Sequence, residues 1–186
     1  MSRPWQGIVG KGFNAGDFQA YVDTLDFTWT PDFIVLHNTM IPRFAPWVDA
    51  DDNNQPGWHD VSGERRMKGL ESYYRDDQKW SGGPHLFIAD DLIWVFTPLT
   101  THGIHSPSWT EQSWGVETVG DYDKEELPQE IFDNIIAALA TLSAAIGVSA
   151  DTLRFHKEDP ATTHRMCPGH NIVKVDIVKA LAAALQ

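Results

Sequence analysis

The segment Arg154-Phe155-His156-Lys157-Glu158-Asp159-Pro160-Ala161-Thr162-Thr163-His164-Arg165-Met166-Cys167-Pro168-Gly169 gathers two histidines and the only cysteine of the 186-residue chain. Its prolines and glycine break it too often for a helix. A lone cysteine forms no internal disulfide, which leaves it packing, nucleophilic attack or metal binding. Cys167 stands before Pro-Gly among polar residues, a poor place for a buried apolar thiol and a good one for a thiolate. These residue types fit a zinc ion held by Cys167 and His156. A third ligand has to come from elsewhere in the chain.

The elements that must position such a site can be read from hydrophobic patterning. Phe33 to Leu36 is apolar on both faces, as in a central strand covered on each side, and it delivers His37 at its C-terminal end, where active-site groups of open α/β sheets collect. Ser113 to Val119 alternates, with Trp114, Val116 and Thr118 on one side and Ser113, Gly115, Glu117 and Val119 on the other. A glutamate in mid-strand beside a glycine suggests that the second side looks into a cavity. Leu153 to Phe155 reads as a short strand leading into the cysteine segment. His85 to Ala89 and Leu92 to Phe96 read as two strands turning at Asp90-Asp91.

Helices are expected after the Asn14 cap, from Gly63 to Lys79 with Met67, Leu70 and Tyr74 on one face, and from Pro128 to Gly147 with Ile131, Ile135, Leu139 and Leu142 at 3- and 4-residue spacing. A terminal helix from about Asn171 has the stripe Ile172, Val175, Val178, Leu181 and Leu185. Residues 41–62 and 100–112 lack periodicity, and loops this long are often functional. From them Trp58, Trp109 and His105 are expected as substrate contacts, although a loop tryptophan can equally pin its loop to the body. The sum is an α/β fold: one domain over 1–186, a mixed central β-sheet flanked by helices, with an N-terminal helical extension over about 1–30.

Composition excludes some partners. Fourteen Lys plus Arg against 26 Asp plus Glu give a formal charge of −12, so no general affinity for nucleic acid or an anionic membrane is expected. No run approaches the ~20 apolar residues of a membrane span. The N-terminus lacks the basic-then-apolar profile of a secretory signal, so the chain is expected to be cytoplasmic as synthesised and to meet any extracellular substrate after lysis or export. A monomer is expected.

In the order of these motifs the chain resembles the zinc-dependent N-acetylmuramoyl-L-alanine amidases of type 2, which share a fold with peptidoglycan-recognition proteins and include many phage endolysins. Phe33-Ile34-Val35-Leu36-His37-Asn38-Thr39 resembles the strand that ends in the first zinc histidine. Gly83-Pro84-His85-Leu86-Phe87-Ile88 and Leu92-Ile93-Trp94-Val95-Phe96 resemble the central hairpin. Trp114-Gly115-Val116-Glu117 resembles the strand with a catalytic glutamate, and Phe155-His156 with Cys167-Pro168-Gly169 resemble the other two ligand positions. His105 stands where the family often has a histidine. Two departures stand out. The stretch between His156 and Cys167 is longer than in compact members, which makes His164 a rival ligand, and the position two before the cysteine, often lysine, is Arg165.

The resemblance implies Zn2+ held by His37, His156 and Cys167, and peptidoglycan or muropeptides as partner. The bond cut is the amide between N-acetylmuramic acid and L-alanine. Two neutral imidazoles and a thiolate leave a fourth position open for water. Glu117 is expected as general base, and Arg165 or His164 as the cation facing the oxyanion, an interaction worth ~3 kcal/mol of barrier. Two other readings stay open: a peptidoglycan-binding module without turnover, and a thiol hydrolase with Cys167 as nucleophile.

Overall fold

The computed structural model describes residues 4–186. Its strands are β1 (Lys11–Phe13), β2 (Phe33–Asn38), β3 (Trp47–Val48), β4 (Asn54–Gln55), β5 (Leu86–Ile88), β6 (Ile93–Val95), β7 (Ser113–Thr118) and β8 (Arg154–Phe155); its α-helices are α1 (Ala15–Asp23), α2 (Gly63–Ser72), α3 (Gln129–Ile146) and α4 (Lys174–Ala184). Six strands form one sheet in the order β1-β6-β5-β7-β2-β8, and β3 pairs with β4 as a separate ribbon inside the long 41–62 loop. The pairings β1–β6 and β5–β6 are antiparallel, whereas β7 lies parallel to β5 and β2, and β2 parallel to β8. The sheet is therefore mixed, and its parallel part is where β2 was expected.

Strand alternation sorts the side chains into two layers. Ile34 and Leu36, Leu86 and Ile88, Trp114 and Val116 join the larger core with Phe18 of α1, Ile131, Ile135, Leu139 and Leu142 of α3, and Ile177 and Leu181 of α4. Phe87, Trp94, Phe96 and Val119 face the other way, into a smaller core with Trp58 and Met67 of α2. Each of these fully covered aliphatic or aromatic side chains stabilises the fold by roughly 1.5–3 kcal/mol.

Helix α3 is long and apolar enough by composition to cross a membrane, contrary to the expectation that no run comes close. Its buried residues Ile131, Ile135, Ala138, Leu139 and Leu142 fall on one face against the protein, the pattern of a core helix. Gly147 ends it at φ 70, with the Val148 N–H returning to the Ser143 carbonyl, a cap that a residue without Cβ adopts at least cost.

Three expectations need correction. The N-terminal extension is not only helical: β1 adds an edge strand to β6 before α1, a piece too short to show periodicity. Helix α2 stops at Ser72 and gives way to a π-helical turn over Tyr73–Asp77. In α4 the buried residues are Ile177 and Leu181 while Val175 is 68% exposed. That helix starts at Lys174, after Ile172, and Ile172, Val178, Leu181 and Leu185 of the expected stripe do join the larger core.

Candidate metal centre

Parallel register assembles the site. His37 pairs with Glu117 across β2 and β7, and Leu36 pairs with Phe155 across β2 and β8. Strands running the same way end at the same edge of the sheet, so the residue after Phe155, His156, arrives beside His37 while Glu117 stands on its other flank. The two imidazole rings have centroids 4.4 Å apart. Cys167 comes from the loop behind β8, whose ends are joined by the bond from the Lys157 N–H to the Cys167 carbonyl at 3.0 Å. Its sulfur receives the Asn38 N–H at 3.4 Å. The ligand atoms of His37, His156 and Cys167 all lie within 4.8 Å of one another.

Each group is held by neighbours. His156 Nε2 lies 2.9 Å from Thr162 Oγ1, and His37 Nε2 lies 3.1 Å from His105 Nδ1. Asp159 is fully buried and fastens the 156–167 loop to the 105–108 loop: its carboxylate accepts the Ser106 hydroxyl at 2.5 Å, the Ser108 N–H at 2.9 Å and the Ala161 N–H at 2.8 Å. Burial alone pushes this carboxyl up, yet the bonds from Ser106, Ser108 and Ala161 win and hold it at about 2.

The electrostatics suit a cation. Burial, and then the neighbouring histidines, drive His37 well below the ordinary imidazole range; burial and His164 bring His156 down to about 4. Both rings are neutral at pH 7 and offer lone pairs. Burial and the nearby Glu117 push the Cys167 thiol up, so an apo thiol keeps its proton until a metal takes its place. Glu117 Oε1 is 3.9 Å from His37 Nδ1, and its Oε2 is buried without a partner. Burial raises this carboxyl well above its usual range. A buried, unpartnered carboxyl oxygen beside an N, N, S donor set is what a zinc site with a working carboxylate would leave.

The site floors a cleft of about 970 Å3 whose lining includes His37, His105, Glu117, His156, His164, Arg165 and Cys167. Arg165 rests its guanidinium against the Asp159 and Pro160 carbonyls at 3.5 and 3.4 Å. His164 is exposed, its ring centroid 5.5 Å from that of His156, and it is not one of the three converging ligands. Met40, Ile41, Tyr73, Trp80 and Met166, five of the eight exposed large apolar side chains among the described residues, also line this cleft, so its mouth is apolar.

Two expected substrate contacts do not reach it. Trp58 is 2% exposed, packed into the smaller core with Met67, Phe87 and Trp94. Trp109 sits edge-on to Phe33 with the Arg154 guanidinium over its ring, at the N-terminal end of β2 and so at the opposite edge of the sheet. His105 does line the cleft, but it is buried and its Nε2 lies 3.2 Å from the Ser113 carbonyl while Nδ1 faces His37, leaving no ring nitrogen for a substrate. One cleft residue had no functional signal in the sequence: Tyr74, stacked on Trp80 and edge-on to Phe96, whose phenol is pushed well up by burial and then by Glu117.

The ends of β2, β7 and β8 and the loop that follows β8 thus bring two imidazoles, a carboxyl and a thiol to one edge of a mixed sheet. Residues 28–170 match the family model of N-acetylmuramoyl-L-alanine amidase, and the chain belongs to that family. No protein of curated function matches its sequence. Among solved structures, wild-type PGRP-LB of Drosophila superposes with a TM-score of 0.62 at 17% identity, covering 94% of this chain and 86% of that one. The amidase LysC of Clostridium intestinale superposes with a TM-score of 0.61 at 23% identity, covering 84% of this chain and 94% of the other. A further match, with a TM-score of 0.60 at 15% identity over 82% and 84% of the two chains, is the complex of tracheal cytotoxin with the ectodomains of peptidoglycan recognition proteins LCa and LCx. These neighbours show the fold, and the family match places the chain among the N-acetylmuramoyl-L-alanine amidases.

Proposed function

We propose that the protein is a zinc-dependent hydrolase of the amide bond between N-acetylmuramic acid and L-alanine in peptidoglycan. The observation that carries this reading is the convergence of His37, His156 and Cys167 beside Glu117 Oε2, a buried carboxyl oxygen with no partner. A relative that only recognises its ligand has no use for that oxygen. Zinc held by the three residues would polarise the amide carbonyl and acidify water. Glu117 receives the proton of the attacking water at Oε2 and returns it to the nitrogen of L-alanine as the carbon–nitrogen bond breaks. The products are the lactyl carboxylate and a peptide with a free amine. Arg165 stands on the cleft wall as the cationic partner for the oxyanion, with His164 as the alternative donor, and Tyr74, its phenol kept protonated, is a neutral donor there.

The lining also fits the substrate. In a chain of net charge −12, Arg65, Arg66 and Arg165 line this cleft, which suits a stem peptide that carries carboxylates. Cys167 as nucleophile is disfavoured, because burial and Glu117 keep the thiol protonated and thiol chemistry needs the thiolate.

Purified muropeptides incubated with the zinc-loaded protein and resolved by mass spectrometry test the reading. Free stem peptides beginning with L-alanine, abolished by a chelator and restored by zinc, are expected. Tight muropeptide binding with no cleavage by the zinc-loaded protein would make this chain a recognition module instead.

A further inference from the structure

We infer that His105 is a positioning residue that fixes the tautomer of His37, presenting a bare Nδ1 to the cleft through a relay that starts at the Ser113 backbone. The inference rests on the proposed metal site and extends it one layer outward. The relay follows from donor and acceptor roles alone. The Ser113 carbonyl, 3.2 Å from His105 Nε2, can only accept. The Ser113 hydroxyl, 3.4 Å from the same nitrogen, already donates to the Trp109 carbonyl at 2.6 Å, so it too can only accept. His105 Nε2 therefore carries the proton. In a neutral ring the proton cannot also sit on Nδ1, and this ring is buried with both nitrogens facing uncharged groups, so no carboxylate is there to hold a second proton. Nδ1 is thus an acceptor, and the group 3.1 Å away, His37 Nε2, must donate to it. With its proton on Nε2, His37 keeps its lone pair on Nδ1, the nitrogen 3.9 Å from Glu117 Oε1.

The slot for the His105 ring is built into β7. A Cβ at Gly115 would stand 2.3 Å from His105 Cγ, so the ring lies flat on the strand only because that residue has no side chain. The Thr110 hydroxyl oxygen accepts the backbone N–H groups of His105 and Ser106, both at 3.3 Å. By contrast, His156 Nε2 faces a hydroxyl, Thr162 Oγ1, that can donate or accept, so nothing in the protein alone sets its tautomer. The relay prepares one of the two imidazole ligands before the metal arrives.

Long-range 1H–15N correlation NMR of the metal-free protein reads the tautomers directly. His37 and His105 are both expected as Nε2–H forms, and a His37 protonated on Nδ1 would overturn the relay. Zinc affinity, measured by competition with a chromophoric chelator, gives a second readout on two variants. His105→Asn keeps an acceptor where Nδ1 was, whereas His105→Gln keeps a donor toward Ser113 but nothing at the Nδ1 position. The relay requires the Asn form to bind zinc more tightly than the Gln form, with the Gln form weakened by about 10–100-fold, the effect usual for loss of an outer-shell partner. A purely structural histidine would give equal affinities, or the reverse order. Wild type that binds no zinc at all would remove the proposed function, and the relay with it; zinc-binding wild type with equal variants would remove the relay alone.

Discussion

His37 and Cys167 reach the same cleft from opposite kinds of structure. His37 ends an interior strand, paired on both sides through Glu117 and toward Phe155, and its ring is backed by a buried histidine. Cys167 and His156 bound a loop with little regular structure, fastened to the body by the Asp159 carboxylate through Ser106 and Ser108, by the Glu158–Lys174 ion pair and by the Asn38 N–H on Cys167 Sγ. The strand half inherits its precision from the sheet ladder. The loop half obtains it from a few charge-assisted hydrogen bonds, which are strong individually and few in number. A site assembled this way is rigid on one side and dependent on a few side-chain ties on the other.

The contrast can be broken most severely at the ligands. His37→Ala and Cys167→Ser should each weaken zinc retention by more than the roughly 100-fold that outer-shell changes cost, read by elemental analysis after dialysis. If the halves differ as described, the Cys167 variant changes hydrogen exchange at Asn38, whose N–H meets the sulfur, and leaves 33–37 unchanged. Next comes Glu117→Gln. Cleavage should fall by about 10²–10⁴-fold, the usual worth of a general base, with zinc content retained. The same variant should raise the melting temperature of the metal-free protein at pH 7. The folded carboxyl, raised by burial, holds a proton that the unfolded chain releases above pH 4.5, so native Glu117 costs stability as pH rises beyond that point.

Asp159→Ala should strip acceptors from a hydroxyl and two N–H groups and lower stability by about 3 kcal/mol, read by urea unfolding. Faster exchange should be confined to 105–108 and 156–167; equal loosening of β2 would show that the two halves are one unit. The gentlest probe is acid. His85 is held down at about 3 by burial, His105 and His156 at about 4, and His37 is also driven well down. These rings are neutral when folded, and the unfolded chain takes up protons first. In the Glu117→Gln background, which removes the opposing carboxyl, the stability these rings contribute to the metal-free protein should be complete above pH 6.5 and be lost as pH falls toward 4, followed by circular dichroism. A flat profile across that window would mean that the rings are solvated.

The strand half was the more legible in sequence, for the same reason that it is rigid. An apolar run ending in His37, and an alternating strand with Glu117 on its second face, carry period-two signals that fix facing as well as position. His156 and Cys167 were visible by residue type, but nothing in the loop revealed Asp159 as its clamp, since an aspartate before proline reads as an ordinary turn. Tyr74 was hidden because its spacing from Met67 and Leu70 fits a core stripe; the switch to a π-helical turn at Tyr73 has no period of its own. Trp58 and Trp109 misled in the reverse direction, as large aromatics in loops that face inward or to the far edge. His105 lay at the right place, but one-dimensional reading cannot count ring nitrogens that already face partners.

The missing side chain at Gly115 ties two distant positions into one heritable choice. Any methyl group there ejects the imidazole of residue 105, and a smaller residue at 105 leaves the groove over β7 unfilled. A directed-evolution library that randomises either codon alone should return mostly the parent, whereas joint randomisation opens combinations that neither single walk can visit.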